Sequence, residues 1–300
     1  MPAPRLLLHY VFGLLMGTAD VIPGVSGGTM ALIVGIYARL IASVGHGAGA
    51  LGRALRLDVA AVRGHLREIE WGLVLPLGAG IVSALAVGSA VIPGLLDDHP
   101  ERMRALFFGL IAGSIVIPWR RMRARGALTM AVLLVAAGVA FVFAGLPDRE
   151  VASPALWQVF AAASLAICAM ILPGVSGAFL LLILGMYEPT LDALHERDLP
   201  YIAVFAAGAV AGISVFSSVL RYLLERAHDL TMAALVGLMA GSLRALWPYL
   251  EDDRALRGPA EGDPMLSVLL LVAGGAAAVL ALAVVGDRTD RADRAERTTS

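Results

Sequence analysis

A chain of 300 residues that is 59% hydrophobic and only 16% charged carries too little charge for a soluble globular domain of this length. With a mean hydropathy of +0.81, it reads as a polytopic integral membrane protein. The net charge of −1 hides a segregation of charge by loop, and the short Arg clusters give no support to nucleic-acid binding.

In chain order, apolar runs cover residues 6–22, 25–44, 71–93, 103–118, 127–146, 155–172, 174–191, 201–220, 230–248 and 265–286. A span needs about 20 apolar residues, so most of these runs qualify, and none resembles a cleavable signal peptide. All 23 basic residues are Arg and the chain lacks both Lys and Asn, as a GC-rich genome would produce. Cys168 is the sole cysteine, which excludes an internal disulfide or a cysteine-based metal site. No metal or cofactor is expected. Of the histidines, His46, His65, His99, His195 and His228 are placed in loops or at span ends, and His9 has no evident partner.

Arginines concentrate in 45–70, 119–126, 221–229 and the tail after 286, whereas the remaining loops are acidic. Placing the Arg-rich loops and both termini in the cytoplasm alternates cleanly across every span, as the positive-inside tendency expects. The tail balances four Arg against four acids and is expected to be a solvated, disordered end.

One phrase occurs twice. Residues 22–37 read IPGVSGGTMALIVGIY and residues 172–187 read LPGVSGAFLLLILGMY, with nine of sixteen positions identical. Pro disfavours helix at the residue before it, so Pro23 and Pro173 should each end a half-helix. Gly24, Gly27, Gly28, Gly174 and Gly177 permit a tight turn and close backbone approach. The following half-helix then presents unpaired amides and its positive dipole end to the break. Ser26, Thr29 and Ser176 add hydroxyls. Together these groups describe an anion cradle suited to phosphate, tolerable at membrane depth only where protein or ligand satisfies the backbone. Gly35, Gly185, Gly109, Gly113, Gly237 and Gly241 are instead expected to let helices pack closely.

Each motif unit contributes an even number of crossings and three spans follow the first, so the second half is inverted relative to the first. The expected fold is therefore an all-α polytopic membrane protein built as an inverted repeat. Each half comprises a Pro/Gly-broken, re-entrant helical hairpin followed by three transmembrane helices. The first repeat occupies 1–150 (hairpin 6–44; spans 71–93, 103–118 and 127–146). The second occupies 151–286 (hairpin 155–191; spans 201–220, 230–248 and 265–286), and 287–300 form a cytoplasmic tail. A weaker echo pairs LFFGLIAGS from Leu106 with LVGLMAGS from Leu235.

Asp20 is the only carboxylate well inside the first hairpin, and its repeat counterpart is Met170. A carboxylate at this depth marks either an ion or proton pathway or a cap for the half-helix after Pro23. Arg104 reads as a snorkelling anchor, and Arg244 as an anchor or an outer phosphate contact.

Residues 17–40 (GTADVIPGVSGGTMALIVGIYARL), 171–191 and 237–248 resemble the bacterial polyprenyl-phosphate transporter family. The resemblance covers essentially the whole chain. It implies a translocase that recycles undecaprenyl phosphate, the lipid carrier of cell-wall synthesis, across the cytoplasmic membrane. The implied partners are the polyprenyl-phosphate lipid and the bilayer; apart from the resemblance, a proton or cation, with Asp20 as its candidate carrier, would offset the head-group charge. Ala178 and Phe179 replace Gly28 and Thr29 in the second copy, whose cradle is expected to offer fewer polar contacts. Two other classes remain open. Membrane undecaprenyl-diphosphate phosphatases share a Pro-Gly-x-Ser motif, but that chemistry needs an Arg clamp beside the Ser, and here each Ser is followed by Gly. A channel or carrier for a small anion would use the same cradle.

Overall fold

A computed structural model describes residues 3–21, 26–54, 56–149, 151–251 and 254–298. Among these the protein is all-helical, with one isolated bridge (Leu250 with Leu256) and no named strand. The first run of helices is α1 (Ala3–Val21), α2 (Gly27–Ile33), α3 (Tyr37–Ala54), α4 (Val59–Glu68), α5 (Trp71–Asp98), α6 (Pro100–Ser114), α7 (Val116–Arg121) and α8 (Ala127–Ala144). The second is α9 (Leu156–Ile171), α10 (Gly177–Leu184), α11 (Tyr187–Glu196), α12 (Leu199–Arg226), α13 (His228–Ser242), a 3-10 turn (Leu243–Leu246) and α14 (Met265–Thr298). Apart from α4, the two runs follow the same order of long and short elements.

Five helical stretches among the described residues are long and apolar enough to cross a membrane: Trp71–Gly88, Pro100–Arg121, Ala127–Ala144, Leu199–Arg226 and His228–Leu246. A sixth arises if α10 and α11, bent by 100° at their junction, form one broken span. Their outer faces carry exposed Val82, Val87, Leu128, Leu134, Val135 and Val215, the surface a lipid environment requires. The segment at 45–70, anticipated only as an Arg-rich stretch, holds the end of α3 and all of α4. His46 and His65 thus sit in helices rather than loops. His9 does have a partner, with Nδ1 lying 2.7 Å from the Gly72 carbonyl oxygen. Where a disordered tail was expected, α14 continues as helix to Thr298.

The apolar runs 25–44 and 174–191 each hold two helices, α2 and α3 in the first and α10 and α11 in the second. Gly35 (φ +81°) and Gly185 (φ +72°) adopt the left-handed conformation. At the first, Ile36 N–H donates to Ala31 O (3.0 Å) and Gly35 N–H to Leu32 O (3.3 Å). At the second, Met186 N–H donates to Leu181 O (2.8 Å) and Gly185 N–H to Leu182 O (3.1 Å). Both are Schellman caps, so these two glycines end short helices and are not the helix-packing residues they were expected to be.

The other four glycines pack as expected. A Cβ on Gly109 would lie 2.1 Å from Val272 O of α14, and one on Gly237 would lie 2.3 Å from Leu133 O of α8. Gly113 meets Ala276 and Gly241 meets Ala137 in the same way. Gly13 and Gly17 seat α1 on α5, as Gly208 and Gly212 seat α12 on α9. In lipid no hydrophobic force draws helices together, so backbone-close contact of this kind carries the association. The pairing also crosses the chain midpoint: α6 packs on α14, and α8 packs on α13.

At the centre lies α2, every residue of which is buried. It touches α1, α3, α6, α7, α9 and α14, and its Leu32 and Ile33 join Met16, Ile111, Leu220 and Met239 in the main core. Replacing Gly237 by Leu forces α13 away from α8 and should cost about 1–3 kcal/mol, read as a lowered melting temperature in detergent. Gly138→Leu on α8, where nothing lies within 4 Å of an added Cβ, should leave that temperature unchanged.

Candidate functional site: two interlocked helix breaks

At the first break Ser26 is the N-cap of α2, in extended conformation (φ −134°). Its Oγ accepts from Gly28 N–H (3.1 Å) and donates to Met170 O (2.8 Å) on the second break. Gly27 N–H donates to Asp20 Oδ1 (2.6 Å), and Thr29 N–H to Ser26 O (2.9 Å). The first three amides of α2 are therefore all satisfied from within the chain. Only glycine fits here: a Cβ on Gly27 would lie 2.6 Å from Asp20 Oδ2, and one on Gly28 would lie 2.4 Å from Ile171 O. Pro23 and Gly24 lie outside the described residues.

At the second break α9 ends at Ile171, and Gly174 turns the chain at φ +84° beneath Met239. Ending a helix leaves its last carbonyls without intrahelical partners. Here the first break supplies them, Ser26 bonding Met170 O and the Tyr37 hydroxyl bonding Ile171 O (3.3 Å). In return Gly174 N–H donates to Thr29 Oγ1 (2.9 Å). The two breaks, 150 residues apart, thus satisfy one another in a region where Ser26, Thr29 and Ser176 are all buried.

The hydroxyls of Ser26 and Thr29, expected to face a ligand, bond the backbone of the opposite break in this structure. At the second break, expected to offer fewer polar contacts, the side chains of Ala178 and Phe179 add none. Ser176 Oγ accepts from Phe179 N–H (3.3 Å), but the Gly177 and Ala178 amides find no acceptor among the described residues. Gly177 is buried against Ala166 O (2.6 Å from a Cβ), while Ala178 is exposed. Asp20 acts as a cap on α2, one of the two roles open to it from sequence.

Arg244 lies away from the breaks, in a cleft with Phe108, Phe141, Leu243, Trp247 and Arg257. Its guanidinium stacks 4.7 Å from the Phe141 ring centroid, packs against Gly145, and donates to Phe141 O (3.3 Å) and Arg254 O (3.4 Å). Its Nε is buried with no hydrogen-bond partner. Arg104 does more than anchor, since it donates to Leu250 O (2.8 Å) and so ties α6 to the loop after the 3-10 turn.

Sequence reasoning missed Arg254. Its guanidinium sits 4.5 Å over the ring of Phe179 in the first turn of α10, and it pairs with Asp148 (2.6 Å). It therefore connects the Arg244 cleft to the second break. The signal was present: Arg254 and Arg257 are basic residues in a loop otherwise acidic and assigned to the outside, against the usual charge bias. Arg257 Nη1 donates to Asp263 Oδ2 (2.7 Å) and its indole neighbour Trp247 donates to Arg257 O (2.8 Å). That guanidinium, helped by the Ala260 amide, holds the Asp263 carboxyl below the usual carboxylate range. The loop clasp therefore persists while pH falls through the ordinary Asp value and is lost only below it.

The undecaprenyl phosphate translocase-like family model matches residues 16–261. The chain is 38% identical over 245 residues to a polyprenyl-phosphate transporter of Vibrio cholerae, covering 82% of this chain and 79% of that one. It is 29% identical over 263 residues to a polyprenyl-phosphate transporter of Staphylococcus aureus, covering 82% of this chain and 88% of that one. No solved structure matches it. A match of that length, spanning both breaks and the Arg244 cleft, means that the chain belongs to the undecaprenyl phosphate translocase-like family.

Proposed function

We propose that this protein translocates a polyprenyl phosphate, undecaprenyl phosphate in the family's terms, across the bacterial cytoplasmic membrane and returns the lipid carrier for reuse. The observation that carries the reading is the pair of amides at Gly177, which is buried, and Ala178, which is exposed, neither with an acceptor among the described residues, at a helix break in a membrane-grade helical protein. An unpaired amide pair at a helix start offers a phosphate the donors that water would otherwise supply. The aromatic cleft beside Arg244 suits a lipid with an acidic head better than a small hydrated anion, and Arg254 lies between that cleft and α10. Phosphoryl transfer is disfavoured because Ser26 spends its proton on Met170 O and is not an activated nucleophile.

In this reading the two halves form an inverted repeat with re-entrant hairpins and cytoplasmic termini. The matching Schellman turns at Gly35 and Gly185, the exchanged pairs α6 with α14 and α8 with α13, and the Arg alternation all support it. The head group meets Arg244 and Arg254 first and then the Ser176–Gly177 break. Opening the Ser26–Met170 and Thr29–Gly174 bonds passes it to Gly24, Ser26, Gly27, Gly28 and Thr29. Asp20 is the resident anion of the α2 N-terminus, where it competes with a phosphate. Protonating Asp20 frees the Gly27 amide, which couples head-group acceptance to a proton.

Two variants test this in proteoliposomes that report the leaflet of a labelled polyprenyl phosphate. Ala178→Pro deletes one open N–H at a first-turn position that tolerates Pro, and transport should fall at least tenfold while Ala178→Ser keeps it. Wild-type rates in the proline variant would remove the second break from the site. Asp20→Asn should bind lipid within about threefold of wild type, about 0.7 kcal/mol, yet transport without pH dependence. A pH profile unchanged from wild type would exclude Asp20 from coupling.

A further inference from the structure

Away from the breaks, α3 and α4 bring three metal-ligating side chains together, two of which, His46 and His65, line a cleft of about 640 Å³ beside α12. We propose that His46, His65 and Glu68 form a binding site for a divalent transition metal of the zinc type. The ligand atoms of all three lie within 4.8 Å of one another. His65 and Glu68 are three residues apart on α4 and so share a face, and His46 meets them from α3. Two imidazoles and a carboxylate are a recurrent donor set for Zn²⁺, leaving a fourth position for water.

Three details favour a metal over a simple ion pair. His46 Nδ1 and Glu68 Oε2 are 2.8 Å apart, a contact a proton bridges when no metal is bound. That pair alone leaves His65 unexplained, because its Nδ1 is buried with no hydrogen-bond partner among the described residues. Gly49 of α3 makes the room for this ring: a Cβ there would lie 2.9 Å from His65 Cε1 and 3.0 Å from Nδ1. Zn–N bonds of about 2.0–2.1 Å place tetrahedral donors about 3.3 Å apart, which torsions of the largely exposed Glu68 can reach. Arg53, Arg56 and Arg221 line the same cleft, but all three are exposed and screened by solvent, and Asp58 lies 3.5 Å from Arg53. The consequence for the fold is local. No residue of α4 is buried, so a shared metal would staple a weakly seated surface helix to α3.

The test uses tag-free full-length protein in detergent, stripped with chelator and titrated calorimetrically with Zn²⁺, with Co²⁺ absorption reporting geometry. One Zn²⁺ per chain is expected, with visible bands of four-coordinate Co²⁺. His65→Gln, His46→Gln and Glu68→Gln should each weaken binding at least tenfold. Their melting temperatures in chelator should match wild type, and only wild type should gain stability on adding Zn²⁺. Gly49→Ala, which leaves every ligand in place but crowds His65, should also weaken binding. Absence of saturable binding by wild type, or unchanged affinity in the ligand variants, overturns the site.

Discussion

Satisfying backbone polar groups away from water is the constraint on which the rest of this structure depends. Breaking a helix inside a membrane strands carbonyls at one end and amides at the next, each costing several kcal/mol if left alone. This protein breaks two helices and sets each break against the other. Ser26 and Tyr37 cover the stranded carbonyls of Met170 and Ile171, and Thr29 accepts the Gly174 amide. The arrangement also explains why α2, only seven residues long, occupies the middle of the core.

Around that clasp the helices approach as closely as glycine allows. The contacts at Gly109 and Gly237 are between backbones, and each joins one half of the chain to the other. The breaks are held by hydrogen bonds between hydroxyls and backbone. In the proposed function these are the bonds exchanged for bonds to a phosphate as the head group passes.

Much of this was legible in the sequence. The duplicated Pro-Gly-Val-Ser-Gly marks both breaks, the 16% charge marks the membrane, and the echo from Leu106 and Leu235 marks two matching close-packed helices. What sequence could not supply was which donors remain free. Ser26 and Thr29 look like ligands because hydroxyls beside glycine suit phosphate, yet their partners lie 144 and 145 residues away and only the fold brings them near. Ala178 has no polar side chain, so the role proposed for it rests on its backbone amide and leaves no trace in residue type. Gly35 and Gly185 were misread for a related reason: a left-handed cap and a packing contact both ask for glycine. Arg254 was visible as a charge on the wrong side of the topology, but its stacking on Phe179 depends on a loop whose path no periodicity encodes.

The most direct test of this account is an experimental structure of the protein in lipid with a polyprenyl phosphate bound. The account expects phosphate oxygens within about 3 Å of the Gly177 and Ala178 amide nitrogens, with Phe179 and Arg254 beside them. A phosphate held on the lipid-facing perimeter, with those two amides capped by protein and both breaks remote from it, would contradict it.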